Sequence, residues 1–179
     1  MTDQLIVRLL SPQGKPVPCD VVYTVDRRNL PFWSERRSAG PGEWAISSPK
    51  TQPFGICVLW EVPGFGKVIV TADNEGAGYR LGEQQVVDFR IEAARSKVVK
   101  TRGRLDALAA AGYAFDAQLV SKIEQAERAL QAALALQGEA AAVRADEALT
   151  ASFWAAEEVE WMRQLRNDVR QAVTGEARN

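Results

Sequence analysis

The sequence predicts an α+β fold, with an N-terminal antiparallel β-sandwich of about six or seven strands followed by a C-terminal α-helical hairpin or three-helix segment. All eight prolines lie before residue 64 and nine of the thirteen glycines lie before residue 83, whereas twenty-one alanines follow residue 94. Proline and glycine favour turns between short strands, and alanine favours helix. We therefore expect two domains, a β-sandwich over residues 1–93 and a helical domain over residues 94–179.

Apolar runs between Pro- and Gly-containing turns predict the strands. We expect strands at residues 4–10, 17–26, 43–48, 54–62, 67–72, 79–81 and 84–92. Residues 54–62 are apolar on both faces, which is typical of a central strand. Residues 27–42 are mostly polar, and we expect them to form a long loop whose aromatic tip carries Trp33. Strands of this number and length indicate a β-sandwich of immunoglobulin-like size.

After residue 93 the apolar residues recur with the period of a helix. We expect helices at residues 94–111, 117–137 and 139–174, with Asp116 as the N-cap of the second helix and Gly138 as its C-cap. One apolar stripe of the third helix comprises Leu149, Phe153, Ala156, Val159, Met162, Leu165, Val169 and Val173. Because Trp154 and Trp161 accompany this stripe, we expect one of them to be the buried anchor between the long helix and the rest of the chain.

The overall composition excludes several classes of function. The chain has 179 residues, 46% of them apolar and 25% charged, with a net charge of −1, so a nucleic-acid partner is not expected. It contains no histidine, which excludes a Ser-His-Asp triad and every zinc site that needs imidazole. No apolar run approaches the ~20 residues of a membrane span, and the first residues lack the pattern of a signal peptide. We expect no cofactor and no membrane partner.

The two cysteines are too few and too widely separated for a thiolate metal site or a redox CxxC motif. Both Cys19 and Cys57 lie in strand-like, largely apolar runs. We interpret them as reduced core thiols, with a disulfide across the sandwich as the alternative.

Four aromatic residues of the N-terminal half are candidates for carbohydrate binding: Trp33, Trp44, Trp60 and Tyr79. A flat aromatic ring on a β-sandwich can stack on the apolar face of a pyranose. The alternative is that Trp44 and Trp60 belong to the core and Trp33 holds its loop in place. Trp33 is the strongest candidate, because its surroundings in sequence are too polar to be buried whole.

Two acidic clusters are candidates for a metal site or an acid/base site. Asp73, Asn74 and Glu75 offer oxygen ligands in one Gly-rich turn, so they are weak candidates for a calcium site, although a turn capped by its own side chains explains the same residues. Glu157, Glu158 and Glu160 fit a solvated, ion-paired helix face better than an acid/base pair. The sequence contains no catalytic constellation.

Three groups of short motifs resemble a known family. They are Gly-Lys-Pro-Val-Pro at 14–18, Ala-Asp-Asn-Glu-Gly-Ala-Gly-Tyr at 72–79, and Glu-Ala-Ala-Arg-Ser-Lys at 92–97 leading into Ala-Glu-Arg-Ala-Leu at 126–130 and Ala-Asp-Glu-Ala-Leu at 145–149. This arrangement resembles the non-catalytic N-terminal region, a β-sandwich with a helical segment, that precedes the barrel in some bacterial family 10, xylanase-type glycoside hydrolases.

The resemblance implies a non-catalytic accessory module of a polysaccharide-degrading enzyme. Such a module would brace the adjacent catalytic domain, bind polysaccharide weakly, and be secreted or periplasmic as part of the longer enzyme. The chain holds neither the (β/α)₈ barrel nor the paired glutamates of this family, and glycoside hydrolysis needs two carboxylates at a fixed separation. We therefore expect no hydrolysis by this chain.

The alternative is a protein–protein interaction or homodimerisation module that acts through the helical hairpin. The two functions predict different exposed surfaces. A sugar-binding module should expose an aromatic platform on the sandwich, whereas a docking module should expose an apolar stripe on the helices.

Overall fold

The computed structural model describes residues 4–49, 52–82 and 86–176, with side chains in the last helix up to Arg166. Over these residues the fold is α+β, with eight short strands in two four-stranded sheets followed by three helices. The elements are β1 (Leu5–Arg8), β2 (Val22–Val25), β3 (Pro31–Phe32), β4 (Glu35–Gly40), β5 (Glu43–Ser47), β6 (Gly55–Val62), β7 (Gly66–Ala72), β8 (Val86–Asp88), α1 (Phe89–Ala110), α2 (Ala117–Ala135) and α3 (Gly138–Glu176).

The two sheets have different hydrogen-bonding patterns. The first has the order β4-β5-β1-β8; β5 is antiparallel to β1, but β8 is parallel to it, with Val7 opposite Val87. The second has the order β3-β2-β6-β7 and is antiparallel throughout. The expectation of a wholly antiparallel fold is therefore corrected at β8. The chain builds β6 and β7 in the second sheet before it returns, and β8 then enters beside β1 in the same direction.

A single apolar cluster connects both sheets with all three helices. The sheets contribute alternating inward residues such as Val7, Val58 and Val70, each at most 2% exposed. The helices contribute Phe89, Leu130 and Leu149, among others. A smaller second cluster lies between the three helices and contains Leu105, Leu119, Ile123, Ala155 and Val159. The helices thus cover apolar surface that the sheets alone would leave in water.

The predicted loop over residues 27–42 contains two strands. β3 pairs with β2, and β4 pairs with β5, with Arg37 opposite Ala45. β4 is an edge strand and its side chains are almost all exposed, so its sequence shows no alternation that would reveal it. Conversely, residues 79–81 form no strand; only Tyr79 makes an isolated bridge, to Phe54.

The change from strand to helix comes at residue 89, earlier than predicted. The expected strand at residues 84–92 is reduced to β8, and Gln84 and Gln85 lie outside the described residues. Asp88 ends the strand because its carboxylate accepts the N–H groups of Arg90 (3.1 Å) and Ile91 (3.4 Å) as an N-cap. The apolar residues that follow are therefore the first turn of α1.

The predicted caps of the second helix hold in part. The Asp116 carboxylate accepts the Leu119 N–H at 2.7 Å, which confirms it as the N-cap of α2. The C-cap is Leu136 instead of Gly138, which has a φ of 60° and begins α3. α3 has 39 residues and is about 58 Å long at 1.5 Å per residue. Within the part of the chain that is described, the helices lack the uncharged apolar length that crossing a bilayer requires.

The prediction that Trp154 or Trp161 anchors α3 is wrong. Their exposed fractions are 46% and 63%, whereas the neighbouring Phe153 is 8% exposed and its ring lies 4.9 Å from that of Phe65. Successive helical residues are about 100° apart, so Phe153 facing inward turns Trp154 outward. Of the other stripe residues, Leu149 and Val159 are buried, Ala156 and Met162 are half-buried, and Leu165 is exposed; the side chains of Val169 and Val173 lie outside the described residues.

A buried ion pair joins the sheets to α3. The Arg90 guanidinium pairs with Asp146, donates two hydrogen bonds to the Leu10 carbonyl at 2.9 and 3.3 Å, and lies 5.0 Å from the centroid of the Trp60 ring. The Arg90 side chain is 8% exposed and that of Asp146 is 14% exposed. Burial raises the pKa of Asp146, and the nearby guanidinium offsets part of this effect.

We expect Arg90→Met to lower the free energy of unfolding by ~3–5 kcal/mol, because it leaves the Asp146 carboxylate buried without its partner. Urea denaturation measures the loss. The double variant Arg90→Met/Asp146→Leu should recover part of it, since it removes both charges. Arg128→Met, at a side chain that is 69% exposed, should cost less than ~0.5 kcal/mol. Equal losses for Arg90→Met and Arg128→Met would contradict a structural role for the buried pair.

Candidate functional site

Exposed apolar side chains form a stripe along one side of α3. This α3 stripe consists of Val143, Trp154, Trp161 and Leu165, which are 41%, 46%, 63% and 45% exposed. Their spacings of eleven, seven and four residues are close to three, two and one helical turns, so the side chains lie on the same side of the helix. The sequence did not single out Val143 as part of a site and assigned Leu165 to the buried stripe.

An apolar groove of about 740 Å³ borders the first part of the α3 stripe. It lies between α2, α3 and the turn from β6 to β7. The indole of Trp154 forms one wall and meets the Phe65 ring edge-on, with 5.0 Å between centroids. The Thr150 hydroxyl donates to the Pro63 carbonyl at 2.9 Å, which fixes α3 to this turn. The other lining residues are Lys122, Gln125, Val143, Asp146, Glu147 and Ala151.

A second hollow of about 380 Å³ lies beside Leu165. It is lined by Tyr113, Ala114, Met162, Leu165 and Arg166. The Arg166 guanidinium lies 4.1 Å from the centroid of the Tyr113 ring and donates to the Gly112 carbonyl at 2.9 Å. These contacts hold the segment after α1 against α3. The α3 stripe is thus bordered by a hollow near each end of its described length. Side chains of a protein partner can fill hollows of this kind.

Several charged residues around the α3 stripe are paired within the protein. The ion pairs are Lys122–Glu158, Arg104–Glu160, Arg163–Glu160 and Arg144–Glu147. The predicted ion-paired face is therefore confirmed at Glu158 and Glu160. These four ion pairs compensate their charges locally, whereas the exposed Glu157 beside the two tryptophans has no ion pair among the described residues.

Trp33 is exposed and held in place from both sides. Its exposed fraction is 69%, the largest among the exposed apolar side chains of the described residues. The buried hydroxyl of Thr24 lies 3.2 Å from the Phe32 carbonyl oxygen and 3.0 Å from the Ser34 hydroxyl oxygen. Phe32 packs inward against Phe54, with 6.1 Å between ring centroids. Trp33 therefore projects from a backbone that β2 fixes on either side.

The other three predicted aromatic candidates point into the protein. Trp60 is 2% exposed, and Trp44 is half-buried against the main core. Tyr79 is 1% exposed, and its hydroxyl donates to Glu92 at 2.9 Å. Burial, together with the Glu92 carboxylate, raises the pKa of Tyr79 far above its ordinary value. In this structure the rings of Trp60 and Tyr79 are inaccessible to a ligand, so Trp33 stands apart from the other three.

The turn that carries the weak calcium-site candidates is stabilised by its own side chains and by α1. The Asp73 carboxylate accepts the Gly76 N–H at 3.1 Å and lies 2.5 Å from the Lys100 ammonium. Glu75 pairs with Arg95 at 2.8 Å. The described residues contain no group of three or more His, Cys, Asp or Glu placed to hold a metal ion. The acidic groups therefore act as a cap and as ion-pair partners of α1.

Both cysteines are unpaired. Cys57 is buried, its Sγ lies 3.2 Å from the Thr71 hydroxyl, and burial raises its pKa. Cys19 is half-buried, and its Sγ lies 3.3 Å from the Val21 carbonyl oxygen. A thiol with a raised pKa is a poor nucleophile at neutral pH, so Cys57 is part of the core and not a reactive centre.

Lys97 is a half-buried cation between α1 and α3. Its ammonium lies 3.9 Å from the centroid of the Phe153 ring. Burial lowers its pKa to about 8; the carboxylate of Glu157 opposes this shift, and the cations Lys100 and Arg104 add to it. The lysine thus sits where its charge is costly, and Phe153 provides the contact that partly compensates for the loss of water.

No protein-family model, curated protein or solved structure matches this chain. The resemblance to the family 10 N-terminal region therefore depends on the quoted motifs alone and stays a prediction.

We expect Trp154→Ala and Trp161→Ala each to cost less than ~1 kcal/mol of unfolding free energy, because neither indole is buried. Phe153→Ala should cost ~3–5 kcal/mol, since it opens a cavity between α3, Phe65 and Lys97. Urea melts of the three variants provide the comparison. A loss of ~3 kcal/mol in either tryptophan variant would show that its indole is buried in solution.

Lys97→Met should stabilise the protein more at pH 7 than at pH 10. The folded-state pKa of Lys97 is about 8 and its ordinary value is 10.5, so between these values the unfolded chain binds more protons than the folded one. The unfolding free energy of the wild type therefore rises through this window relative to Lys97→Met. Urea melts of the wild type and of Lys97→Met at each pH from 7 to 10 give the difference between their unfolding free energies. The contributions of other titrating groups, such as Cys57, are common to both proteins and cancel in this difference. A difference that stays constant with pH would contradict the buried position of the ammonium.

Proposed function

We propose that the chain is a non-catalytic accessory module of a polysaccharide-degrading enzyme of the xylanase type, and that the α3 stripe packs against the catalytic domain of that enzyme. In this proposal the two sheets form a β-sandwich, and α2 and α3 form an antiparallel hairpin that presents the stripe. The module braces the catalytic domain and binds carbohydrate weakly through Trp33.

The exposed α3 stripe is the observation that carries the docking part of the proposal. A large aromatic side chain buries ~150–250 Å² when covered, so the half-exposed Trp154 and Trp161 together leave roughly 200 Å² of apolar surface in water. Val143 and Leu165 extend this area along the same side of α3. Apolar patches that approach ~300–600 Å² are the largest on typical monomers and often functional.

The chemistry of the stripe favours a protein over a sugar as its occupant. A polysaccharide needs hydroxyl partners around a flat ring, but most of the charged groups beside this stripe are engaged in ion pairs such as Lys122–Glu158. Tryptophan flanked by aliphatic side chains and by hollows is instead typical of the anchor residues of protein interfaces.

The enzyme class comes from the family resemblance, and the side chains are compatible with a non-catalytic role. The chain has no histidine. The acidic groups at Asp73, Glu158 and Glu160 pair with cations. An adjacent domain is the partner that a bracing module requires, and it would cover the stripe permanently.

A homodimer formed through the same stripe is the second candidate for the docking role. The observation that favours it is that a half-exposed indole and a groove of about 740 Å³ lie on the same surface. A two-fold interface brings the same patch of both copies together, so the indole of each copy would meet the groove of the other. The two candidates differ in the oligomeric state of the isolated chain.

We expect the isolated chain to sediment as a monomer at ~100 μM and to bind the barrel domain of a family 10 glycoside hydrolase from the same source. Trp154→Ser/Trp161→Ser should weaken this binding by at least ~30-fold, the effect of losing interface hot spots. Leu30→Ser is the matched control, because Leu30 is an exposed apolar residue on the sheet side of the molecule, 57% exposed.

Either of two outcomes would contradict this docking mode. A dimer that Trp154→Ser/Trp161→Ser dissociates would assign the stripe to a second copy of the chain. Equal affinities of the wild type and the double variant for the barrel domain would show that the stripe does not contact it.

A further inference from the structure

The chain passes from one sheet to the other at Trp33. β3 is the edge strand of the second sheet and β4 is the edge strand of the first, so Trp33 and Ser34 connect two open edges. We call the group of exposed residues Arg28, Trp33, Arg36 and Arg37, which flank this crossing in the chain, the Trp33 corner. Arg28 lies in the turn between β2 and β3, and the other two arginines lie on β4. All four residues are largely exposed.

The three arginines of the Trp33 corner have no partner among the described residues. None of the guanidinium groups of Arg28, Arg36 and Arg37 makes a hydrogen bond or an ion pair there. Several other arginines are paired with carboxylates, as in Arg8–Glu43, Arg95–Glu75 and Arg102–Glu127. The neighbouring Arg27 is excluded from the corner because it donates to the Ala77 carbonyl. Glu35, the carboxylate within β4, accepts a hydrogen bond from the Ser47 hydroxyl and pairs with none of the three arginines.

We propose that the Trp33 corner binds a polysaccharide that carries carboxylate groups, of the uronic-acid class. This inference rests on the carbohydrate role proposed above and names the kind of sugar. The indole stacks on the apolar face of a pyranose, and a free arginine receives the carboxylate of a neighbouring residue or branch.

The geometry of the corner suits such a ligand. Trp33 and Arg36 are three positions apart in the chain, which is at most roughly 10 Å at ~3.3 Å per residue. Arg36 and Arg37 point to opposite faces of β4, so a sugar on either side of the strand meets one of them. Thr24 fixes the backbone on both sides of Trp33, so little conformational entropy is lost when a ring stacks there.

Charge distribution favours a sparsely charged sugar over a nucleic acid. A polyphosphate strand is held by many phosphate contacts and by a broad basic surface. The Trp33 corner offers three free arginines and a single indole, Glu35 lies among them, and the chain as a whole has a net charge of −1. An isolated carboxylate beside a stacked ring matches that smaller set of groups.

The test uses xylo-oligosaccharides that carry a glucuronic acid branch, compared with the same oligosaccharides after reduction of the carboxyl group to an alcohol. Reduction keeps the shape and removes the charge. At ~50 mM salt the full chain should bind the acidic form about tenfold more tightly than the reduced form, and at ~500 mM salt this preference should shrink. Tryptophan fluorescence and amide NMR shifts follow the titrations.

Three variants locate the effect. Arg36→Gln/Arg37→Gln should abolish the preference and keep binding of the reduced form, whereas Trp33→Ala should weaken binding of both forms. Arg128→Gln, an exposed arginine on α2, is the matched control and should change neither affinity. Because the substituted side chains are exposed, we expect each variant to fold, and circular dichroism checks this.

The outcomes separate this inference from the proposed function. Equal affinity for the acidic and reduced forms would overturn the selection of carboxylates and leave the carbohydrate role intact. The absence of binding of both forms at tens of millimolar would overturn the carbohydrate role and the inference with it. Unchanged acidic-sugar binding by Trp33→Ala would place the site elsewhere, and tighter binding of a thymidine oligonucleotide would assign the corner to nucleic acid.

Discussion

The packing of the helices on the sheets depends on the buried ion pair between Arg90 and Asp146. One guanidinium contacts the segment after β1 through the Leu10 carbonyl, β6 through the Trp60 ring, and α3 through Asp146. Apolar contacts alone define the position of a helix along a surface weakly, because dispersion and burial are not directional. A buried charge has few positions in which it is satisfied, so this pair specifies where α3 lies along the sheets.

The start of α1 places Arg90 where this pair can form. Asp88 caps the helix and places Arg90 in its first turn, facing the core next to Phe89. The sequence pattern of residues 86–92 alternates as a strand would, and that alternation alone predicts an extended segment. The structure of this segment is decided instead by the Asp88 cap and by the contacts that the buried Arg90 makes. The periodicity of the local sequence carries no information about those contacts.

The sequence predicted the order of strands and helices because composition changes sharply at the boundary between them. It did not predict β4, whose exposed residues carry no periodic signal, nor the parallel pairing of β8, which depends on the path of the whole chain. Among the site candidates, Trp33 was identified correctly as a solvent-exposed residue because its neighbours are polar. Trp60 and Tyr79 could not be distinguished from it by residue type. The burial of Trp60 follows from its position in β6, whereas Tyr79 lies outside the strands and is held by its bridge to Phe54.

The surface of α3 was misread because large aromatic residues were expected to mark its buried side. Instead the buried side uses small residues: Ala141, Ala145, Ala148 and Ala155 are at most 7% exposed. Alanine lets helices approach closely, so α1 and α2 occupy the space that an indole would need. A periodicity count that gave weight to alanine would have placed Trp154 and Trp161 on the opposite side.

The separation of α3 into a buried alanine side and an exposed tryptophan side bears on function as well as on folding. The helix stabilises its own packing with alanines, Leu149 and Phe153, and it does not need either tryptophan for that purpose. Exposed indoles favour association with other apolar surfaces, so a chain that keeps two of them on one helix side risks aggregation unless that side is covered. Fold stability thus gives no reason for Trp154 and Trp161, and this is why we propose that a second protein surface covers them.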